Sequence, residues 1–212
     1  MRSVILGVLL CLAGAGAAWA EKYAPTITPY VETAAQQHQM TTADAAFDKG
    51  DYETVKRLLA PLIEAGHPKA INYTGLMHNR GLGYTKNTKR ACKLYEIAAL
   101  RGYASAQWNT STCYHLAGKK NEMKRKYHFW IETAAQNGIE EAQAHMAAYY
   151  YKTNRKLFLY WAKKAAAQGN IFARILLSRQ DHGHLFPDLT LLDTACVIVM
   201  IGVLGKDLTY CN

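Results

Sequence analysis

Residues 70–106 read AINYTGLMHNRGLGYTKNTKRACKLYEIAALRGYASA, and the pattern inside this stretch returns downstream. Ala70, Ala106 and Ala142 lie 36 residues apart, as do Gly66, Gly102 and Gly138, and Ala98-Ala99 recurs at Ala134-Ala135. The next spacing is shorter by five: Ala165-Ala166, Gly169 and Ala173 each follow their counterparts by 31. Self-similarity at a fixed period of this length marks a stacked repeat architecture. Within a period the apolar residues fall near i, i+3, i+4 and i+7 in two blocks, 70–80 and 89–101, so each unit reads as two helices. Gly102 stands just past the second block, where a helix end takes a left-handed residue. The alanines offer small surfaces on which neighbouring helix backbones pack closely. Helix pairs of this kind cannot bury their faces alone, so they stack, and the expected fold is an all-α, right-handed solenoid with one concave face.

The stretch resembles a Sel1-like repeat, a relative of the tetratricopeptide repeat. The residues that carry the resemblance are Ala70, Gly75, Gly81-Leu82-Gly83, Arg90-Ala91, Leu94-Tyr95, Ala98-Ala99 and Gly102. The following unit keeps Ala106, Trp130, Ala134-Ala135 and Gly138 but lacks the Gly-x-Gly loop. The third keeps Ala142, Trp161, Ala165-Ala166 and Gly169, with its interhelix loop cut by five residues. The resemblance covers about residues 43–177. It divides the chain into an incomplete first repeat at 43–69 and units at 70–105, 106–141 and 142–177. It implies a binding scaffold, because the family pattern specifies a fold rather than a reaction.

Composition excludes several other classes. Half of the 212 residues are apolar and only 19% are charged, which is unlike a disordered chain. No run of 18 clean apolar residues suggests a bundle of membrane spans. Residues 1–20 carry Arg2, a short apolar run from Val4 to Leu12, and Ala18-Trp19-Ala20, the order of a secretory signal cleaved before Glu21. The expected location is therefore the periplasm. Residues 21–42, with Pro25 and Pro29, read as an extended lead-in followed by a capping turn. The segment 178–212 reads as a C-terminal cap, whose apolar run from Leu189 to Leu204 buries the last repeat's open face or, as an alternative, touches the membrane.

Cleavage leaves four cysteines in an oxidising compartment. If the chain reverses at Gly102-Tyr103, Cys92 and Cys113 lie equally far from the turn on antiparallel helices, so they are expected to bond. Cys196 and Cys211 flank Gly205 and form the second expected pair, with free buried thiols as the alternative. Cysteine-rich Sel1-like proteins place their pairs eight residues apart, a spacing this chain lacks.

Residues for catalysis are hard to find. No nucleophile elbow, Ser-x-x-Lys, His-Glu-x-x-His or phosphate-cradling loop is present. His182-Gly183-His184 is a close pair without the third and fourth ligands that zinc wants, so neither metal nor cofactor is expected. Charge says more. Lys119, Lys120, Lys124, Arg125 and Lys126 lie between the helices of one unit, and Lys152, Arg155 and Lys156 occupy the equivalent region of the next. Stacking would align them as a basic ridge, the alternative being a solvated edge that keeps the protein soluble. Export argues against nucleic acid and favours an acidic protein partner or anionic lipid. Opposite the alanine columns, the first helices should present Asn72, Asn79, Trp108, Thr112, His115 and Tyr151 to a partner. The resemblance implies adaptor, scaffold or immunity roles, the specific expectation being an immunity protein that neutralises a secreted toxic effector. The alternatives are a Sel1-like hydrolase acting on β-lactam-like compounds and a lipid-associated envelope scaffold.

Overall fold

The computed structural model describes residues 23–117 and 121–181. The leader, Lys119 and Lys120, the Cys196–Cys211 pair and the apolar 189–204 segment lie outside the described residues. Among the described residues are nine helices and no strand. They are α1 (Ala34–Asp48), α2 (Tyr52–Glu64), α3 (Pro68–Arg80), α4 (Thr88–Leu100), α5 (Ala104–Leu116), α6 (Asn121–Gln136), α7 (Glu140–Tyr150), α8 (Arg155–Ala167) and α9 (Ile171–Asp181). None is long and apolar enough to cross a membrane. The helices pair as α1/α2, α3/α4, α5/α6 and α7/α8, with α9 packed on α8 as the first helix of a further step.

Local chemistry sets the boundaries. Asn87 and Asn154, at equivalent positions, accept the backbone N–H groups of Arg90 and Leu157 at 2.9 and 3.1 Å and so start α4 and α8. Thr33 and Gln36 cap each other reciprocally, at 3.3 and 3.0 Å, and this starts α1 at Ala34, inside the stretch read as a lead-in. Gly102 takes φ +84°, which turns α4 into α5 at little cost.

The core follows the alanine columns. Ala70, Ala106 and Ala142 on the first helices and Ala98, Ala134 and Ala165 on the second are all fully buried. Large residues are matched by small ones across the pair. A methyl built on Gly75 would lie 2.7 Å from the Tyr95 ring, so a glycine here is what admits the tyrosine. At the equivalent positions of the next units stand Ser111 with Ile131 and Ala147 with Ala162: where the second helix carries a residue smaller than tyrosine, the first carries a side chain in place of the glycine.

The first and second complete units are also joined covalently. Cys92 on α4 and Cys113 on α5 form a disulfide with Cα atoms 5.8 Å apart, as the turn at Gly102 requires. Closing a loop of this size stabilises the fold by about 3 kcal/mol.

Residues 23–33 form an extended strap. It runs over the groove between α4 and α6, with Thr28 N–H donating to Leu100 O at 2.9 Å and Tyr30 N–H to Arg101 O at 3.2 Å. Those carbonyls end α4 and have no partner within the helix. Tyr23 rests edge-on against Phe129, its ring centroid 5.5 Å away, and donates to Glu96 at 3.3 Å.

Replacing Gly75 with Ala should lower unfolding free energy by about 1–3 kcal/mol, since the ring cannot yield without moving its neighbours. In a Tyr95→Ile background, which copies the next unit, the same change should be neutral or stabilising because a helical alanine is favoured over glycine. Urea unfolding of the four proteins measures the coupling, and additive effects would contradict the assigned contact.

Candidate functional site

The first helices of successive units touch, α3 against α5 and α7 against α9, while the second helices α4, α6 and α8 stand further apart. The first helices therefore line the inner, tighter side of the stack. Their accessible stripe lies at 69, 73, 76 and 80 on α3, at 105, 109, 112 and 116 on α5, and at 141, 145 and 148 on α7. Its centre falls one residue beyond the columns expected from the sequence. Each first helix is gripped on two sides, by its own partner and by its neighbour, and the second grip buries Asn72 and Ala144 and half-buries Trp108.

The expected contact residues divide accordingly. Asn72 is buried, and its side-chain oxygen accepts from Asn109 Nδ2 at 2.9 Å, tying α3 to α5. Asn79 and Thr112 are half-buried, and the Thr112 hydroxyl donates to its own helix at Trp108 O. Tyr151 is half-buried with its ring edge-on to Phe158 at 5.1 Å. Trp108 and His115 belong to a larger group. The Trp108 ring lies 5.3 Å from His145 of α7, the exposed His115 ring lies 5.2 Å from Tyr127 of α6, and Tyr127 Oη is 3.4 Å from His145 Nδ1. His128 and Tyr149 extend the group, their rings 5.1 Å apart. The structure thus gathers an aromatic and imidazole band over α5, α6 and α7.

Tyr127, His128, His145 and Tyr149 were absent from the sequence reading. His145 shares a column with Tyr73 and Asn109, the stripe that the one-residue displacement hid. Tyr127 sits on a second helix, where repeat periodicity assigns a packing role.

Burial disfavours charge on three members of the band. Burial pushes the His145 imidazole down to about 4, helped by the neighbouring His115, and pushes the Tyr127 phenol up to about 12. Neutral phenol and neutral imidazole thus face each other through the neutral pH range. His128 is lowered too, by burial first and by Lys124 second.

The basic residues are less uniform than their spacing suggested. Because α6 begins at Asn121, Lys124, Arg125 and Lys126 lie in its first turns rather than in a loop. Lys124, Lys152, Arg155 and Lys156 are exposed and Arg125 is half-buried. Lys126 is committed elsewhere: it pairs with Glu122 at 3.2 Å and lies 5.2 Å from the centres of both the Tyr23 and Tyr114 rings. Among the described residues no three His, Cys, Asp or Glu side chains converge as a metal site.

Helix pairs stacked with alanine at the contacts, a left-handed glycine closing each second helix and a band of aromatic residues over α5, α6 and α7 define a repeat scaffold. The comparisons with solved structures make the class specific: this is the Sel1-like repeat fold. A Sel1 repeat protein from Oxalobacter formigenes superposes with a TM-score of 0.58 at 27% identity, covering 68% of this chain and 61% of that one. A protective antigen present in uropathogenic Escherichia coli strains, displaying an SLR fold, superposes with a TM-score of 0.59 at 24% identity, over 70% of this chain and 34% of that one. Chitin synthase regulatory factor 3 of Schizosaccharomyces pombe is 31% identical over 96 residues, which are 41% of this chain and 10% of that protein. The chain thus spans a tenth of its curated relative and less than two thirds of either solved chain. No family model matches it.

The depressed imidazole makes stability depend on acid. Folded His145 takes up a proton only near pH 4, whereas in the unfolded chain it does so near its ordinary 6.5. Between those values the unfolded state holds more protons, so stability present above pH 6.5 is lost as pH falls toward 4. His145→Gln should reduce the drop in urea midpoint between pH 7.5 and 4.5. An unchanged drop would move the titrating group elsewhere.

Proposed function

We propose that this protein is exported to the periplasm and binds an acidic protein partner through its inner face. A Sel1-like scaffold is suited to protein–protein interaction. The observation that carries the reading is the partly open band of Trp108, His115, Tyr127 and His145, with exposed Lys124, Arg155 and Lys156 on the neighbouring helix starts and Lys152 in the turn before α8. Half-open aromatic residues supply large contact area at low entropic cost, and cations at the rim steer an acidic surface toward it. In its most specific form the partner is a secreted toxic effector and the protein is its immunity factor. The neutralising contact would then be the aromatic band, and the cations would speed capture.

Two experiments test this. Protein recovered from the periplasm should begin at Glu21, and an uncleaved or cytoplasmic chain would remove the export premise. In parallel, full-length wild type and Trp108→Ala serve as baits in an extract of the native envelope. The wild type should retain a partner that Trp108→Ala binds more weakly by about 2 kcal/mol, as truncation of an aromatic anchor does. Reversing Lys124, Lys152 and Lys156 to Glu should slow association and flatten its salt dependence, with a smaller effect on dissociation. Lys126 is left intact because it holds the strap. Equal capture by a still-folded Trp108→Ala would place the binding surface elsewhere.

A further inference from the structure

The strap occupies one of two grooves that the repeat makes alike. Its groove lies between α4 and α6 and offers Glu96 to the Tyr23 hydroxyl, Tyr114 beside it, Phe129 beneath the ring, and the terminal carbonyls of α4 to the backbone. One unit further on, between α6 and α8, the same columns hold Glu132 for Glu96, Tyr150 for Tyr114 and Tyr160 for Phe129. Burial and then the charge of Glu132 raise the Tyr150 phenol, as burial and then Glu96 raise that of Tyr114. The helix again ends in a left-handed glycine, Gly138 for Gly102.

The two grooves differ in cover. A methyl at Gly102 would meet Pro29 Cα at 3.5 Å, and one at Gly138 would meet nothing within 4 Å among the described residues. Phe129 is half-buried beneath Tyr23, while Tyr160 is 46% exposed. Thr28 and Tyr30 satisfy the carbonyls of Leu100 and Arg101, and among the described residues no backbone N–H reaches those of Gln136 and Asn137. The carbonyls, the acceptor carboxylate and the aromatic platform are all in place, and none of the described residues lays a strand of chain across them.

We infer that the α6/α8 groove is a second docking site, independent of the inner face, that takes an extended segment of a partner protein with the chemistry of this chain's own strap. That chemistry is a tyrosine, an aliphatic residue four positions later and a proline two beyond that, as Tyr23, Ile27 and Pro29 stand here. The tyrosine hydroxyl donates to Glu132 while its ring lies on Tyr160, the proline covers Gly138, and backbone N–H groups reach Gln136 and Asn137. The specificity differs from the first groove at one point: Leu157 stands where Lys126 lies over Tyr23, so the new site lacks the cation. A second copy of this chain is the poorer occupant, because its strap would have to vacate an equivalent groove held at high effective concentration.

The probe is a fluorescent peptide with the sequence of residues 21–33, EKYAPTITPYVET, titrated into the full chain, with a version carrying alanine for the first tyrosine as control. Saturable binding is expected, weakened by about tenfold or more by Tyr160→Ala and by Glu132→Ala, lost with the control peptide, and insensitive to Phe129→Ala. Circular dichroism on each variant checks folding. Absent binding, or binding that depends on Phe129 and ignores Tyr160, overturns the site, since the peptide would then enter only the strap's own groove. Full chain bearing p-benzoylphenylalanine in place of Tyr160 supplies the second readout. A photo-crosslink to the peptide supports the proposal. One to residues 182–212 of the same chain, or a crosslinked dimer, hands the groove to the protein's own tail or to a second copy and overturns it.

Discussion

How closely two helices can approach decides everything else in this structure. At the contacts between and within units the side chain is a single methyl: Ala70, Ala98 and Ala99 in one unit, Ala106, Ala134 and Ala135 in the next, and Ala142 and Ala165 in the third, all fully buried. A helix pair with so little side chain at its centre has no core of its own, and its burial is completed only by the neighbouring pair. The larger residues take up what space remains, with Trp130 and Phe158 fully enclosed. Tyr95 needs the absence of a side chain at Gly75 for the same reason. In a close-packed interior the register of each pair is thus bound to that of its neighbours.

Methyl contacts alone would let the pairs slide, and a buried polar interlock prevents this. Gln107 donates to Ala99 O of the preceding unit at 3.5 Å and accepts from Asn137 at 2.8 Å, and Gln143 donates to Ala135 O at 3.0 Å and accepts from Gln168 at 2.8 Å. Both glutamines are buried, so any slip leaves amide groups without partners in a dry interface. The cost of orphaning such a group, about 1–3 kcal/mol, exceeds the net gain of the bond itself. Polar residues here define position more than they add stability. The first complete unit has Ile71 in that column, and the Asn72–Asn109 bond adds to the Gln107 bridge between it and the next unit.

What the sequence made legible follows from this periodicity. Columns repeating every 36 residues set out the helix pairs, so the block read at 70–80 is α3 from Pro68 and the block at 89–101 is α4 from Thr88. The same symmetry brought Cys92 opposite Cys113. Features that break the repeat were hidden. The strap has no period, since its backbone bonds go to helix-end carbonyls that carry no residue signature. Lys126 reads as one cation in a run, and its engagement with two tyrosine rings depends on that strap. The displacement of the inner stripe by one residue, which buries Asn72 and brings His145 forward, arises from contact between first helices, a constraint that a helix considered alone does not contain.

The departures from symmetry also distribute stability unevenly. In a linear stack the stability is close to a sum of unit terms and nearest-neighbour interfaces, so an added tie strengthens one interface and leaves the others as they were. Between the α3/α4 and α5/α6 pairs the ties are the strap, the disulfide, the Asn72–Asn109 bond and the bond from Gln107 to Ala99 O. Between α5/α6 and α7/α8 they are the bond from Gln143 to Ala135 O and the ring band around His145. The ring band holds an imidazole that burial keeps from taking up a proton, so acid weakens this second interface. The aromatic band and the α6/α8 groove both lie on this side of the stack. Binding there would stabilise the interface that the chain's own strap does not reach.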